Sequence, residues 1–129
     1  MRAVADRAAR AQRAGYHRFW IAEHHSGTDV ACAVPAVLVQ LVASATDRLR
    51  VGAGGVMLGN HSPLAVAETY RAISALHPGR IDVGLGRASG AESRITALLR
   101  GNAVPLDRES FWDSVIAVQS LLGESRDRP

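Results

Sequence analysis

The stretch LRVGAGGVMLGNHSP at residues 49–63 has the order strand, glycine-containing loop and helix start. Residues 49–53 form a short run in which only Arg50 is charged and which predicts a strand, and the glycines within 54–62 predict a loop. Ser62 and Pro63 suit the N-cap and first position of a following helix. A strand joined through a loop to a helix is the repeating unit of parallel α/β proteins.

The same unit occurs on both sides of this stretch. Predicted strands begin near residues 17, 49 and 81, so two successive repeats are 32 residues long. Eight such repeats would total about 256 residues, the usual size of a (β/α)₈ barrel. We therefore predict an α/β chain that is a fragment of a TIM barrel, with about three parallel strands and flanking helices. The predicted strands are 17–22, 49–53 and 80–85, the helices are 3–14, 35–45, 63–76 and 108–122, and the loops are 23–34, 54–62 and 86–106, the last with a helical turn at 92–99.

Length and composition limit the class of protein. The 129 residues suffice for one domain, and 47% hydrophobic with 21% charged residues is typical of a soluble globular chain. Cys32 is the single cysteine, which excludes an internal disulfide and favours a reducing, cytoplasmic location. No stretch predicts a membrane span or a secretory signal.

The net charge of +3 comes with fifteen basic residues, all arginine. Such a balance is found in nucleic-acid-binding proteins. However, the arginines are spread along the chain, many near acidic residues, and aromatic residues make up only 5%. We therefore expect no nucleic-acid partner and no membrane partner.

Residues that can carry chemistry follow each predicted strand. Glu23, His24 and His25 follow the first, a loop at 54–61 follows the second, and a loop at 86–90 follows the third. Because ligands of parallel α/β folds bind at the carboxyl ends of the strands, we expect these segments to converge on one end of the sheet.

Several interpretations of these residues stay open from the motifs alone. The histidine pair could bind a metal with His61, hydrogen-bond the barrel rim, or act as an acid or base, and the metal site is disfavoured because no His-Glu-x-x-His helix is present. Arg87 could bind an anion or pair with Glu92. The spacing of the glycines at 84–90 is similar to the glycine pattern of a dinucleotide-binding motif, but the third glycine is displaced.

Three stretches together resemble the luciferase-like flavin-dependent monooxygenases, relatives of bacterial luciferase. They are FWIAEHH at 19–25, RVGAGGVMLGNHSPL at 50–64 with Ala-Glu at 67–68, and PGRIDVGLGRASG at 78–90. The resemblance covers about residues 4–90, whereas 91–129 match loosely. It implies that residues 1–129 form one partial barrel domain that lacks the first strand and everything from the fifth strand onward.

The resemblance also implies a cofactor and site residues. The family binds reduced FMN, or a deazaflavin coenzyme in one branch. His24 matches the catalytic histidine near the flavin, and Gly54-Gly55 matches a position where the family often has a cis peptide against the isoalloxazine ring. Asn60 lies in the loop of flavin-pocket residues, and Arg87 matches a residue near the cofactor's phosphate. Gly86 stands where luciferase has a reactive cysteine, so a thiol role is excluded there.

By resemblance, the function is oxygenation of a small organic substrate through a peroxyflavin, with reduced FMN supplied by a separate NAD(P)H flavin reductase. The alternatives are a deazaflavin-dependent oxidoreductase of the same barrel and a truncated, non-catalytic flavin-binding fragment. The helix at 35–45 is apolar nearly all round, and the family commonly dimerises here. We therefore expect a homodimer through the helices at 35–45 and 63–76.

Overall fold

The computed structural model describes residues 2–25, 32–101 and 106–123. Within them, helices and strands alternate along the chain up to the third strand, which two helices follow, and the three strands form one parallel sheet in the order β1-β2-β3. The predicted number and direction of the strands are confirmed. The elements are α1 (Arg2–Arg13), β1 (Arg18–Ile21), α2 (Pro35–Ser44), β2 (Arg50–Met57), a 3₁₀ turn (Leu58–Asn60), α3 (Pro63–Leu76), β3 (Ile81–Gly86), α4 (Ser93–Arg100) and α5 (Arg108–Leu122).

One face of the sheet is covered by helices and contains the core. Side chains alternate along each strand, so Ile21, Val51 and Ala53 all point to this face and are buried. They pack with Leu38 of α2 and Tyr70 of α3 in one hydrophobic cluster. Burial of this face fixes the register of the strands, because a slip by one residue would turn these side chains to the opposite side.

The opposite face is nearly bare of side chains at its centre. Trp20 is half exposed and lies across β2, where a Cβ added at Gly52 would come within 2.8 Å of its ring. A Cβ at Gly84 would lie 2.7 Å from the carbonyl oxygen of Ala53, so only glycine allows this close approach of β2 and β3. At the amino end of this face, Asp82 accepts from the guanidinium groups of both Arg18 and Arg50.

Two predicted loops contain regular structure instead. The second strand continues through the glycines to Met57, because residues 56–57 pair with 85–86 of β3 beyond an irregularity in the register. The expected turn at 92–99 is a helix, Ser93–Arg100, which ends at Gly101 in the left-handed conformation (φ 76°). Ser62 occupies the N-cap of α3 as predicted, but its side chain makes no capping hydrogen bond.

Side-chain hydrogen bonds of Gln12 and Arg80 anchor the turn between α2 and β2. The side-chain oxygen of Gln12 accepts from the backbone N–H groups of Asp47, Arg48 and Leu49 at 3.0–3.2 Å. Arg80, which directly precedes β3, donates to backbone and side-chain oxygens at the end of α2. These contacts hold the amino end of the sheet, away from the candidate site.

No helix in the part of the chain that the structure describes is both long and apolar enough to cross a bilayer.

Candidate functional site

The carboxyl ends of the three strands carry the predicted site residues. His24 follows β1, Asn60 ends the 3₁₀ turn after β2, and Arg87 follows β3 directly. The loops are joined by hydrogen bonds, from the backbone N–H of His25 to the carbonyl of Gly90 (2.7 Å) and from the Asn60 amide to the carbonyl of Ser89 (2.8 Å). The predicted convergence on one end of the sheet is therefore observed.

Glu23 is at the centre of a hydrogen-bonded cluster at this end of the sheet, although the sequence analysis assigned it no role. Its side chain is only 1% exposed. One carboxylate oxygen lies 2.7 Å from Nε2 of His25 and 2.8 Å from Nε2 of His61, and the other accepts from the backbone N–H of Met57 at 2.9 Å. An acidic residue that directly follows a buried strand, with histidines nearby, is the signal that indicates such a cluster, because a buried carboxylate needs partners.

The electrostatic balance at Glu23 favours the ionised carboxylate. Burial alone raises its pKa, but the hydrogen bonds from His61, His25 and the Met57 amide outweigh burial. The pKa of Glu23 therefore lies below its ordinary value. A buried carboxylate that stays ionised at neutral pH is a fixed negative charge at the base of the strand-end loops.

His24 projects away from this cluster. Its backbone N–H donates to the carbonyl of Cys32 at 2.9 Å, while its side chain is exposed and makes no hydrogen bond to a described residue. The two adjacent histidines thus have different surroundings, because the ring of His25 is held by Glu23. Of the pair, His24 is the one with an imidazole accessible to a ligand at this end of the sheet.

Gly54 and Gly55 lie within β2 and not in the loop predicted for them, and the peptide bond between them is cis. Gly54 is exposed on the bare face of the sheet. A Cβ at this position would lie 3.2 Å from the ring of Trp20. The glycine backbone carries no side chain here, and together with the adjacent indole ring of Trp20 it forms one surface.

The side-chain amide of Asn60 connects loops through both its nitrogen and its oxygen atom. The nitrogen donates to the carbonyl of Ser89, and the oxygen accepts from Nε of Arg100 at 2.8 Å. Arg100 is the last residue of α4 and lies one residue beyond the helical turn predicted at 92–99. The contacts of Asn60 therefore join β2, β3 and α4, and its assignment to cofactor binding stays a prediction.

Arg87 lies beside a second arginine that the sequence analysis did not single out. Arg87 and Arg108 line an open cavity of about 370 Å³ with Phe111 and Trp112. Neither guanidinium forms a hydrogen bond or ion pair with any described residue, so the predicted alternative of a pair between Arg87 and Glu92 is not observed. Arg87 also lines an adjoining cavity of about 460 Å³ between α4 and the start of α5. Two unpaired guanidinium groups at one cavity can bind an anion bidentately.

Metal binding has no geometric support in residues 2–25, 32–101 and 106–123. No group of three or more His, Cys, Asp or Glu side chains there could hold a metal ion. His25 and His61 both face a carboxylate oxygen instead.

Comparison with known proteins identifies the family. The family model described as luciferase-like monooxygenase matches residues 1–124. The chain belongs to the luciferase-like monooxygenase family. Its similarity to an Escherichia coli (strain K12) protein named luciferase-like monooxygenase is 50% identity over 95 residues, which is 74% of this chain and 28% of the relative. It is also 49% identical over 80 residues to the N-acetyl-S-alkylcysteine monooxygenase of Bacillus subtilis (strain 168), covering 62% of this chain and 24% of that protein.

Three solved structures show the same fold. Apo-MsnO8 superposes with a TM-score of 0.88 and 38% identity, over 98% of this chain and 38% of that one. At 20% identity, the oxygenating constituent of 3,6-diketocamphane monooxygenase from Pseudomonas putida, in complex with FMN, gives a TM-score of 0.77 over 92% of this chain and 33% of that one. An F420-dependent secondary alcohol dehydrogenase gives 0.73 at 21% identity, over 95% and 38%.

The chain thus spans about a quarter of the length of the two curated relatives described above. The predicted fold class, three parallel strands with flanking helices as part of a TIM barrel, is confirmed.

Proposed function

We propose that this chain is part of a flavin-dependent monooxygenase that uses reduced FMN and oxygen to oxygenate a small organic substrate, such as an aldehyde or ketone. The observation that carries the proposal is the position of Arg87 and Arg108 at the same end of the sheet as the exposed imidazole of His24. The guanidinium groups of both arginines make no hydrogen bond or ion pair with a described residue. Membership of the luciferase-like monooxygenase family supports the type of reaction.

The residues at this end fit a flavin in shape and charge. The bare surface at Gly54 beside the ring of Trp20 suits a planar, aromatic group. Arg87 and Arg108 suit a phosphate, since guanidinium groups bind phosphate oxygens in a bidentate manner. We therefore assign the ring to Gly54 and Gly55 and the phosphate to Arg87 and Arg108.

Residues of this chain would transfer the proton and hold the loops of the site in place. FMN supplies the reducing equivalents and the reaction with oxygen when it is bound. Histidine is the side chain most often used as a general acid or base, so the exposed imidazole of His24 at the strand ends can hold or deliver a proton there. Asn60 keeps the loops after β2 and β3 together.

Two alternatives belong to the same fold. A deazaflavin-dependent oxidoreductase is supported by the similarity in fold to the F420-dependent alcohol dehydrogenase. The other alternative is a chain that binds flavin but does not catalyse a reaction. It is an alternative because the chain spans only part of the length of its curated relatives.

Anaerobic spectral titration separates these functions. We expect reduced FMN to bind saturably both to the 129-residue chain and to any longer reading frame that contains it, with the reduced deazaflavin coenzyme binding at least tenfold more weakly. The reverse order of affinities would establish the deazaflavin alternative. Tight FMN binding without any substrate oxygenation by the longer protein would establish the non-catalytic alternative.

The proposal includes a separate NAD(P)H flavin reductase as the source of reduced FMN, and a cytoplasmic location in which both proteins meet. The single thiol, Cys32, is consistent with a reducing compartment.

We further propose a homodimer through α2 and α3. Val37 on α2 is 60% exposed and Leu64 on α3 is 50% exposed, so the side of these helices away from the sheet presents large apolar side chains. Covering such surface in a second copy would stabilise the assembly.

Light scattering coupled to size exclusion tests the dimer. At micromolar concentration we expect twice the chain mass of 13.7 kDa, and a shift to monomer in Val37→Asp because a charge cannot be buried unpaired. Ile116→Asp is the control, since Ile116 is similarly exposed (58%) but lies on α5. A monomeric wild type, or an intact Val37→Asp dimer, would contradict the proposal.

A further inference from the structure

Glu23 contacts the loops after all three strands, directly or through one residue. Its carboxylate lies within hydrogen-bond distance of His25 after β1 and of His61 after β2, and it accepts from the amide of Met57, the last residue of β2. The backbone N–H of His25 donates to the carbonyl of Gly90 after β3. The side chain is almost completely buried, so these partners replace water as its hydrogen-bond donors.

The direction of these hydrogen bonds can be deduced from the acceptor. An ionised carboxylate has lone pairs and no proton to donate. The Met57 amide is a donor, and both imidazoles place Nε2 within 2.8 Å of the same carboxylate oxygen. Each of those ring nitrogens must therefore carry a proton.

We propose that Glu23 is a positioning residue that holds His25 and His61 with a proton on Nε2 and thereby fixes the segment that carries His24. His24 lies between two residues whose side chains are bound, and its own backbone N–H donates to Cys32. The exposed imidazole thus extends from an immobilised backbone. Only the importance of this for catalysis depends on the proposed function of His24.

Nitrogen-15 NMR of the histidine rings tests the proposal in the 129-residue chain, because two-bond couplings show which ring nitrogen is protonated. We expect a proton on Nε2 of both His25 and His61 in the wild type at neutral pH. An Nε2 without a proton in either ring would overturn the proposal.

Glu23→Gln supplies the matched variant. Glutamine offers one oxygen and one NH₂ group, so it cannot accept from both imidazoles and the Met57 amide at once. We expect one of the two rings to change its protonated nitrogen, or the Met57 amide to exchange with solvent roughly tenfold faster. Unchanged rings together with unchanged exchange would contradict the proposal. His77, whose Nε2 lies 3.1 Å from the amide oxygen of Gln40, is the internal control and should not respond.

A second variant covers the case in which Glu23→Gln fails to fold. His61→Gln keeps a side-chain N–H donor for the carboxylate, so His25 should retain its proton on Nε2. Loss of that proton would overturn the proposal. None of these measurements uses flavin, and failure of the FMN titration with the expected NMR result would overturn the proposed function alone.

Discussion

Replacement of His24 by alanine is expected to reduce the rate of substrate oxygenation by about 10²–10⁴-fold in the whole flavin-containing protein. Positioned acid or base groups contribute factors of this size. The affinity for FMN is expected to change less than about threefold, because the ring of His24 is exposed and makes no hydrogen bond with a described residue. Turnover and flavin affinity are measured on the same preparations, with a small aldehyde or ketone that the wild type oxygenates.

His17 provides the control for this variant. Its side chain is also exposed, but it precedes β1 at the opposite end of the sheet. His17→Ala should retain wild-type turnover. Equal losses in the two variants, or a loss of flavin affinity in His24→Ala that accounts for its lower turnover, would contradict the assigned role.

Replacement of Arg80 by alanine is expected to lower the free energy of unfolding by about 3 kcal/mol. Its guanidinium donates to the carbonyls of Ala43 and Thr46 (3.1 and 2.7 Å), to the Thr46 hydroxyl (2.7 Å) and to the carbonyl of Leu49 (3.0 Å). One of these acceptors is the carbonyl of Ala43 in the last turn of α2, where carbonyl groups have no partner within the helix. Removal of the side chain leaves several partly buried acceptors without a donor.

Urea unfolding measures this loss as a shift of the midpoint at constant slope. Arg48→Ala is the control, because Arg48 is exposed and its side chain makes no hydrogen bond with a described residue. It should change the free energy of unfolding by less than about 0.5 kcal/mol. A similar stability of the two variants would show that Arg80 does not anchor the turn.

The spacing of glycine, proline and apolar runs was sufficient to predict most of the fold. Helices α3 and α5 have the predicted limits, since Pro63 and Leu76, and Arg108 and Leu122, coincide with clear changes in the pattern. The strand β2 was predicted too short because its glycines indicate a loop when considered locally. Pairing with β3, which is a long-range effect, extends the strand to Met57.

The candidate site was predictable in position but not in its internal contacts. The rule that ligands bind at the carboxyl ends of parallel strands predicted that His24 and Arg87 lie at one end of the sheet, where the structure has both, and their roles stay predictions. It could not show that Asn60 is engaged by Ser89 and Arg100, because those contacts depend on a helix after β3. The role of Glu23 was missed because two of its partners, Met57 and His61, are more than thirty residues away in the sequence.

The most direct test of the flavin site is the affinity for reduced FMN of the wild type, Arg87→Ala and Arg94→Ala. Arg94 is an exposed arginine on α4 that lines neither cavity beside Arg87, so its loss changes the net charge equally. We predict saturable binding by the wild type and by Arg94→Ala, with the dissociation constant raised at least about tenfold in Arg87→Ala because a charge-assisted phosphate contact is lost. Equal affinities for all three proteins, or no saturable binding by the wild type, would contradict a flavin site at this end of the sheet.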